Sequence, residues 1–212
     1  MRYRIVQQGE SRSFPAGDPF LAGSASDGDV TVHLGTPLVR DDMHVAILVE
    51  LGTECLGVHT GEQGGEEGSN VLGFARYRNG DDPPSRLIEL VRQPRTKPEA
   101  IAAARTVFEA AGLVVVVCAD QAGRIIDRLV RPKYNAALRF LDEGLATAKD
   151  MDTTCKLGLG YPDGPIERVE RGGLAYHHDV TRALFETYGA AGYAPARRAV
   201  VGKSRERSRE GS

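Results

Sequence analysis

Apolar positions along this chain first alternate, then run together, then settle into a helical period. In "DVTVHLG", Val30, Val32 and Leu34 alternate with polar neighbours, predicting a strand with one wet face. "HVAILVEL" (44–51) is continuously apolar, the pattern of a strand covered on both faces. "VLGFARY" (71–77) and "RLIELV" (86–91) read as two more strands. "TKPEAIAAARTVFEAAG" predicts a helix whose apolar stripe is Ile101, Ala104, Val107, Phe108 and Ala111. Thr96 and Glu99 have capping-box spacing, Pro98 suits the first turn, and Gly112 follows the end. "LVVVVC" (113–118) then reads as a buried strand, so 86–118 predicts a parallel strand–helix–strand crossover.

After Asp120 the pattern is helical throughout. Ile126, Leu129, Val130, Ala137, Phe140 and Leu141 form one apolar side, with Pro132 inside as an expected kink and Gly144 as terminator. Thr147 caps a short helix with Asp150 three residues on, and Pro165 opens another. The last predicted helix turns Leu174, Val180, Ala183, Leu184 and Tyr188 inward and stops at Gly189. Stretches 12–29 and 61–70 read as loops, the second a mobile one, and "VGKSRERSREGS" (201–212) as a disordered, solvated basic tail.

Composition narrows the function classes. A net charge of −2 argues against bulk nucleic-acid binding, and no apolar run is long enough to span a membrane. Cys55, Cys118 and Cys155 are scattered singly, which suits a reducing cytoplasm and gives no zinc spacing. With no apolar leader at the start, a cytoplasmic protein is the expectation. Cys55 and Cys118 lie in apolar surroundings and read as inert thiols. His33, His44, His59, His177 and His178 lack metal-ligand spacing, and each reads as a surface or capping residue. "KLGLGYPDGP" (156–165) nearly spells a dinucleotide fingerprint. Its glycines follow a helix rather than a strand, so it reads as a helix–helix corner with Gly158 as left-handed cap.

That corner, with the run "NAALRFLDEGLATAKDMDTTCKLGLGYPDGPIERVERGGL" (135–174), resembles the helical C-terminal domain of the 3-hydroxyacyl-CoA dehydrogenases. "LIELVRQPRTKPEAIAAARTVFEAAGLVVVVCADQAGRIIDRL" (87–129) is similar to the family's last Rossmann strands and its entry into that domain. "YGAAGYAPA" (188–196) resembles the end of the second, degenerate half of long phenylacetate-catabolism-type members. The resemblance implies an α/β fold followed by all-α: a truncated Rossmann-like sheet over 1–120, then a helical 6-phosphogluconate-dehydrogenase-C-terminal-like domain over 121–200.

The departures from the family pattern bear on function. "MRYRIVQQGESRSFPAG" lacks the glycine triplet that cradles NAD, so no cofactor is expected although the family implies one. The family's catalytic His falls in the strand "GFARY", where Ala75 or a neighbour stands instead. Glu89 matches the family's orienting glutamate, and Asp127 replaces the Asn that precedes the entry-helix Arg, here Arg128. A carboxylate without its imidazole is not the same base at neutral pH. Glu89 reads first as a strand-end partner of Arg92 or Arg128, and Asp127 as a partner of Arg124, Arg128 or Arg131. The leading expectation is a dehydrogenase-like protein without NAD-dependent hydride transfer, acting in assembly or acyl-thioester binding. Such a protein would be a homodimer or pair with a full-length dehydrogenase, with an acyl-CoA or acyl-carrier ligand, since the helical faces exceed what a remnant sheet covers. The alternatives are a non-redox acyl-thioester enzyme with Glu89 and Asp127 as acid–base pair, and an active NAD-dependent dehydrogenase.

Overall fold

A computed structural model describes residues 1–61 and 70–211, in two compact units: 1–78 with 83–125, and 79–82 with 126–212. The mobile loop expected at 61–70 falls almost wholly outside the described residues.

The first unit is one six-stranded sheet in chain order: β1 (Tyr3–Gln7), β2 (Val30–Leu34), β3 (Ala46–Glu50), β4 (Val71–Arg76), β5 (Leu87–Arg92) and β6 (Val114–Ala119). All neighbours pair parallel except β4 and β5. A doubly wound sheet normally returns through a helix at each parallel step. Among the described residues only α3 (Pro98–Ala110) is a full crossover helix, for α1 (Pro19–Ala22) and α2 (Gly57–Thr60) have four residues each. One sheet face packs on α3 through Val32, Leu48, Phe74, Leu90, Val107 and Phe108. The opposite face gathers Ile47, Val49, Leu56, Val71 and Val91. Gly28 lets the chain cross the start of β1: a Cβ there would lie 2.7 Å from the Tyr3 Cα.

Three local expectations change in this unit. β2 has no wet face: Val30, Val32 and Leu34 lie in the core shared with α3, and Thr31 and His33 are buried on the other face. β6 is the sheet edge, so Val114 and Val116 are exposed where a buried strand is expected. The capping box does not form: Lys97 is the N-cap of α3, and the Thr96 hydroxyl accepts from the Gln93 N–H at 2.9 Å instead.

The second unit is helical: α4 (Ile126–Asp142), α5 (Ala148–Leu159), α6 (Pro165–Arg171), α7 (Leu174–Tyr188), a 3-10 turn (Ala191–Tyr193) and α8 (Arg197–Glu210). Its core joins Tyr134, Ala137, Leu138, Ile166, Val169 and Ala196. α4 runs through Pro132 unbroken. Proline cannot donate to the carbonyl four residues back, and that Arg128 carbonyl accepts the Tyr193 hydroxyl at 3.3 Å. Thr147 caps α5 through the Asp150 N–H, as its spacing predicts. α5 stays helical through Gly158, and Gly160, at φ 69°, is the left-handed cap two residues later than expected. Asp152 closes the corner: its carboxylate accepts the Ile166 and Glu167 N–H groups at 2.8 and 3.0 Å. Gly164 is required there, since a Cβ would lie 2.2 Å from the Asp152 side chain.

The basic tail is not disordered over its described length. α8 packs on α7, with Ala199 fully buried and Lys203 ion-paired to Asp179 and Glu206 at 2.8 Å. The buried face of α4 also differs from its apolar stripe. Asp127, Arg131, Tyr134, Asn135 and Leu138 turn inward, whereas Leu129 and Phe140 are exposed. The reason is a polar core: the buried ring of His177 accepts from Arg131 Nη1 at 3.3 Å through Nδ1 and meets Asn135 Oδ1 at 3.0 Å through Nε2. His177 and His178 are therefore buried, not surface residues.

Candidate functional site

The site implied by the family resemblance centres on Glu89 of β5. The β4–β5 register sets Ala75 directly opposite Glu89, so the two side chains share one sheet face. From β4, then, the side chain that faces this carboxylate is a methyl group with no proton to exchange. The carboxylate is engaged instead from the β6–α4 turn. Gly123 and Arg124 both adopt positive φ, 70° and 47°, a conformation costly for a residue with a Cβ. The turn is held by the Gly123 N–H on the Thr53 carbonyl at 2.7 Å and the Arg124 N–H on the Gln121 carbonyl at 3.1 Å. It returns the Arg124 guanidinium to the sheet, where Nη2 donates to the Gly52 carbonyl at 2.6 Å. Arg124 Nε lies 3.6 Å from Glu89 Oε2, and Glu89 Oε1 accepts the Ile125 N–H at 2.8 Å. Both charged side chains are about 5% exposed, so the pair is sealed from solvent. The expected partners Arg92 and Arg128 are replaced by Arg124, whose left-handed backbone the sequence spacing does not reveal.

Around this pair the remaining polar groups are also committed. The Asp120 carboxylate accepts the Leu56 and Gly57 N–H groups at 2.6 and 2.8 Å and Gln93 Nε2 at 3.1 Å. Burial acts against ionising Glu54, but the Gly52 N–H, its own N–H and His59 hold its carboxyl below the usual range. Burial pushes the Cys118 thiol up to about 11, and the charges of Glu89 and Asp120 add to the rise, so it carries little thiolate at neutral pH. Asp127 belongs to the helical unit and is engaged by Arg131, with Nε at 2.8 Å from Oδ1 one helical turn away. Each of the two sequence-predicted carboxylates therefore has its own arginine.

A nicotinamide dinucleotide needs a helix N-terminus with open N–H groups behind β1. Here β1 leads into residues 8–18 and then the four-residue α1, whose N-cap is Asp18. The Asp18 carboxylate accepts the Phe20 N–H at 2.9 Å and pairs with Arg76 Nη1 at 2.6 Å. Ser11 Oγ and the Ser13 N–H both donate to Glu50 Oε1, at 2.9 and 2.7 Å, folding this segment onto the end of β3. The Asp18 side chain already takes an N–H at this helix start, and the helix is a single turn, so these residues do not fit the cofactor. Among the described residues no group of three or more His, Cys, Asp or Glu side chains is placed to hold a metal ion, and no helix is long and apolar enough to cross a membrane.

Residues 123–211 match the family model for the 3-hydroxyacyl-CoA dehydrogenase C-terminal domain. The chain is 36% identical over 92 residues to the human mitochondrial hydroxyacyl-coenzyme A dehydrogenase, covering 43% of this chain and 29% of the relative. It is 34% identical over 112 residues to a 3-hydroxybutyryl-CoA dehydrogenase of Mycobacterium tuberculosis, covering 51% and 38%. The chain thus spans about a third of the length of the curated relatives it matches. Among solved structures, FadB2 of M. tuberculosis superposes with a TM-score of 0.70 at 22% identity, over 82% of this chain and 65% of that one. PaaH1, an (S)-3-hydroxybutyryl-CoA dehydrogenase from Ralstonia eutropha, gives 0.67 at 21%, over 86% and 66%. At such identity these two establish the fold alone: a Rossmann-like α/β region followed by an all-α domain.

Proposed function

We propose that this 3-hydroxyacyl-CoA dehydrogenase-like chain, a member of that family through its C-terminal domain, acts by assembly or acyl-thioester binding without NAD-dependent hydride transfer. The carrying observation is Glu89: Ala75 stands opposite it, and its oxygens are engaged by Arg124 and the Ile125 N–H. The family resemblance implies a histidine that takes the hydroxyl proton while a glutamate orients it. A guanidinium stays protonated at any physiological pH and has no lone pair to offer, so Arg124 does not substitute for that base. The carboxylate at the start of α1 supports the same reading from the cofactor side.

The assembly part rests on the helical unit. Leu129 and Phe140 of α4 lie eleven residues apart, three helical turns along one face, and are 69% and 45% exposed. Leu145, Leu157 and Leu159 are also exposed. Apolar surface of this kind is what a second copy, or a complete dehydrogenase subunit, would cover. The acid–base reading of Glu89 and Asp127 has no specific observation in its favour, since each carboxylate is ion-paired.

The test is a fluorescence titration with NADH up to millimolar cofactor, beside sedimentation at micromolar protein. No NADH binding together with self-association is expected. Saturable NADH binding would overturn the redox part of the reading. A monomer that also fails to bind a complete dehydrogenase or an acyl-CoA would overturn the rest.

A further inference from the structure

A second polar cluster lies on the sheet face opposite α3, away from Glu89. Arg4 and Val6 of β1, Thr31 and His33 of β2 and Ile47 of β3 are in register on that face. Val39, Asp41 and His44, from the β2–β3 connection, complete a cavity of about 290 Å³. A doubly wound sheet covers such a face with a crossover helix; here the helix-free β2–β3 connection covers it and leaves this cavity beneath.

Its polar atoms are under-used. Thr31 is 2% exposed, and its Oγ1 has no hydrogen-bond partner among the described residues. His33 is buried, spends Nδ1 on Thr36 Oγ1 at 2.9 Å, and has its other ring nitrogen without a partner among the described residues. His44 Nδ1 lies 3.0 Å from Asp41 Oδ2, yet out of line for a hydrogen bond. Arg4 makes no ion pair among the described residues. Buried polar atoms are seldom left unsatisfied in folded proteins, and two lining one cavity, Thr31 Oγ1 and His44 Nδ1, beside an exposed Arg4, point to an external partner.

We propose that this cavity binds a compact oxyanion, a carboxylate or phosphoryl group, through the Thr31 hydroxyl, the His33 imidazole and the Arg4 guanidinium, with any short apolar portion against Val6, Val39 and Ile47. The donor set decides for an anion. Arg4 donates only, Thr31 and His33 can each donate, and the single carboxylate, Asp41, is already beside His44. Burial lowers the His33 pKa most, and the charges of Arg4 and His44 add to it. The small volume excludes a whole nucleotide coenzyme and suits a fragment of a few heavy atoms.

The experiment is calorimetric titration of the full chain with inorganic phosphate and, separately, with butyrate. Saturable binding of either is expected, phosphate alone indicating a phosphoryl ligand and butyrate alone a carboxylate. Thr31→Val and Arg4→Met should each weaken it by about tenfold, roughly one lost polar contact. Because Thr31 Oγ1 has no hydrogen-bond partner among the described residues, Thr31→Val should melt no lower than the parent, which separates ligand binding from folding. Failure of both anions to bind at millimolar concentration, or binding unchanged in both variants, would overturn the proposal.

Discussion

Mild acid should loosen the helical unit through one residue, His177. Its ring is 1% exposed and lies between the Arg131 guanidinium and Asn135 Oδ1. Arg131 can only donate, so Nδ1 must carry the lone pair and Nε2 the proton, which fixes a neutral tautomer. Burial, then the charges of Arg131 and His178, push the His177 pKa down to about 3. In the unfolded chain it returns to about 6.5. Between those values the unfolded state binds a proton that the folded state refuses, so stability is full above about 6.5 and falls as the pH drops toward 3. The whole swing is about 5 kcal/mol, of which roughly 2 kcal/mol is lost between neutrality and about pH 5. Urea denaturation followed by circular dichroism at those two pH values should show the midpoint fall by about 1 M. His177→Gln keeps a donor and an acceptor but has no titration, so its midpoint should move much less. His33 is also lowered and adds to the acid response of the sheet unit in both proteins, so the difference between them isolates His177. Equal pH dependence in the two proteins would refute the reasoning.

Three further outcomes are expected. Asp152→Ala removes the acceptor for two N–H groups at the start of α6 and should cost about 1–3 kcal/mol by chemical denaturation. Gly28→Ala drives a methyl into the backbone of Tyr3 and Arg4, at 2.7 and 2.8 Å, and should lower the thermal midpoint by a loss of about 1–3 kcal/mol. Arg124→Met strands the buried Glu89 carboxylate and should cost about 3–5 kcal/mol, while the double variant with Glu89→Gln should recover most of it. Additive losses in that cycle would show that the pair is not coupled.

The parts of this fold legible in the sequence are those governed by local period and punctuation. β5, α3 and β6 follow from an apolar run, a helical stripe and a second apolar run, and Thr147, Pro165 and Gly189 mark helix ends by their own chemistry. What was not legible depends on neighbours distant in sequence. The alternation in β2 predicts a wet face, but whether water meets it depends on β1 and on the β2–β3 connection. The apolar stripe of α4 loses to a polar one because Arg131 and Asn135 find His177, more than forty residues on. At the candidate site, the resemblance names Glu89, and the nearby arginines predict that it is ion-paired. Its partner is not legible in the sequence, because Arg124 reaches it through a left-handed backbone at a non-glycine residue, which residue type disfavours. His33 and His44, eleven residues apart and without ligand spacing, line one cavity only through the fold of the connection between them.

The claim that Glu89 has been withdrawn from proton transfer is tested most directly by turnover. The purified chain, mixed with acetoacetyl-CoA and NADH, is followed by the nicotinamide absorbance. The account predicts a decay indistinguishable from the protein-free blank, and NADH consumption proportional to protein, abolished by Glu89→Gln, would contradict it.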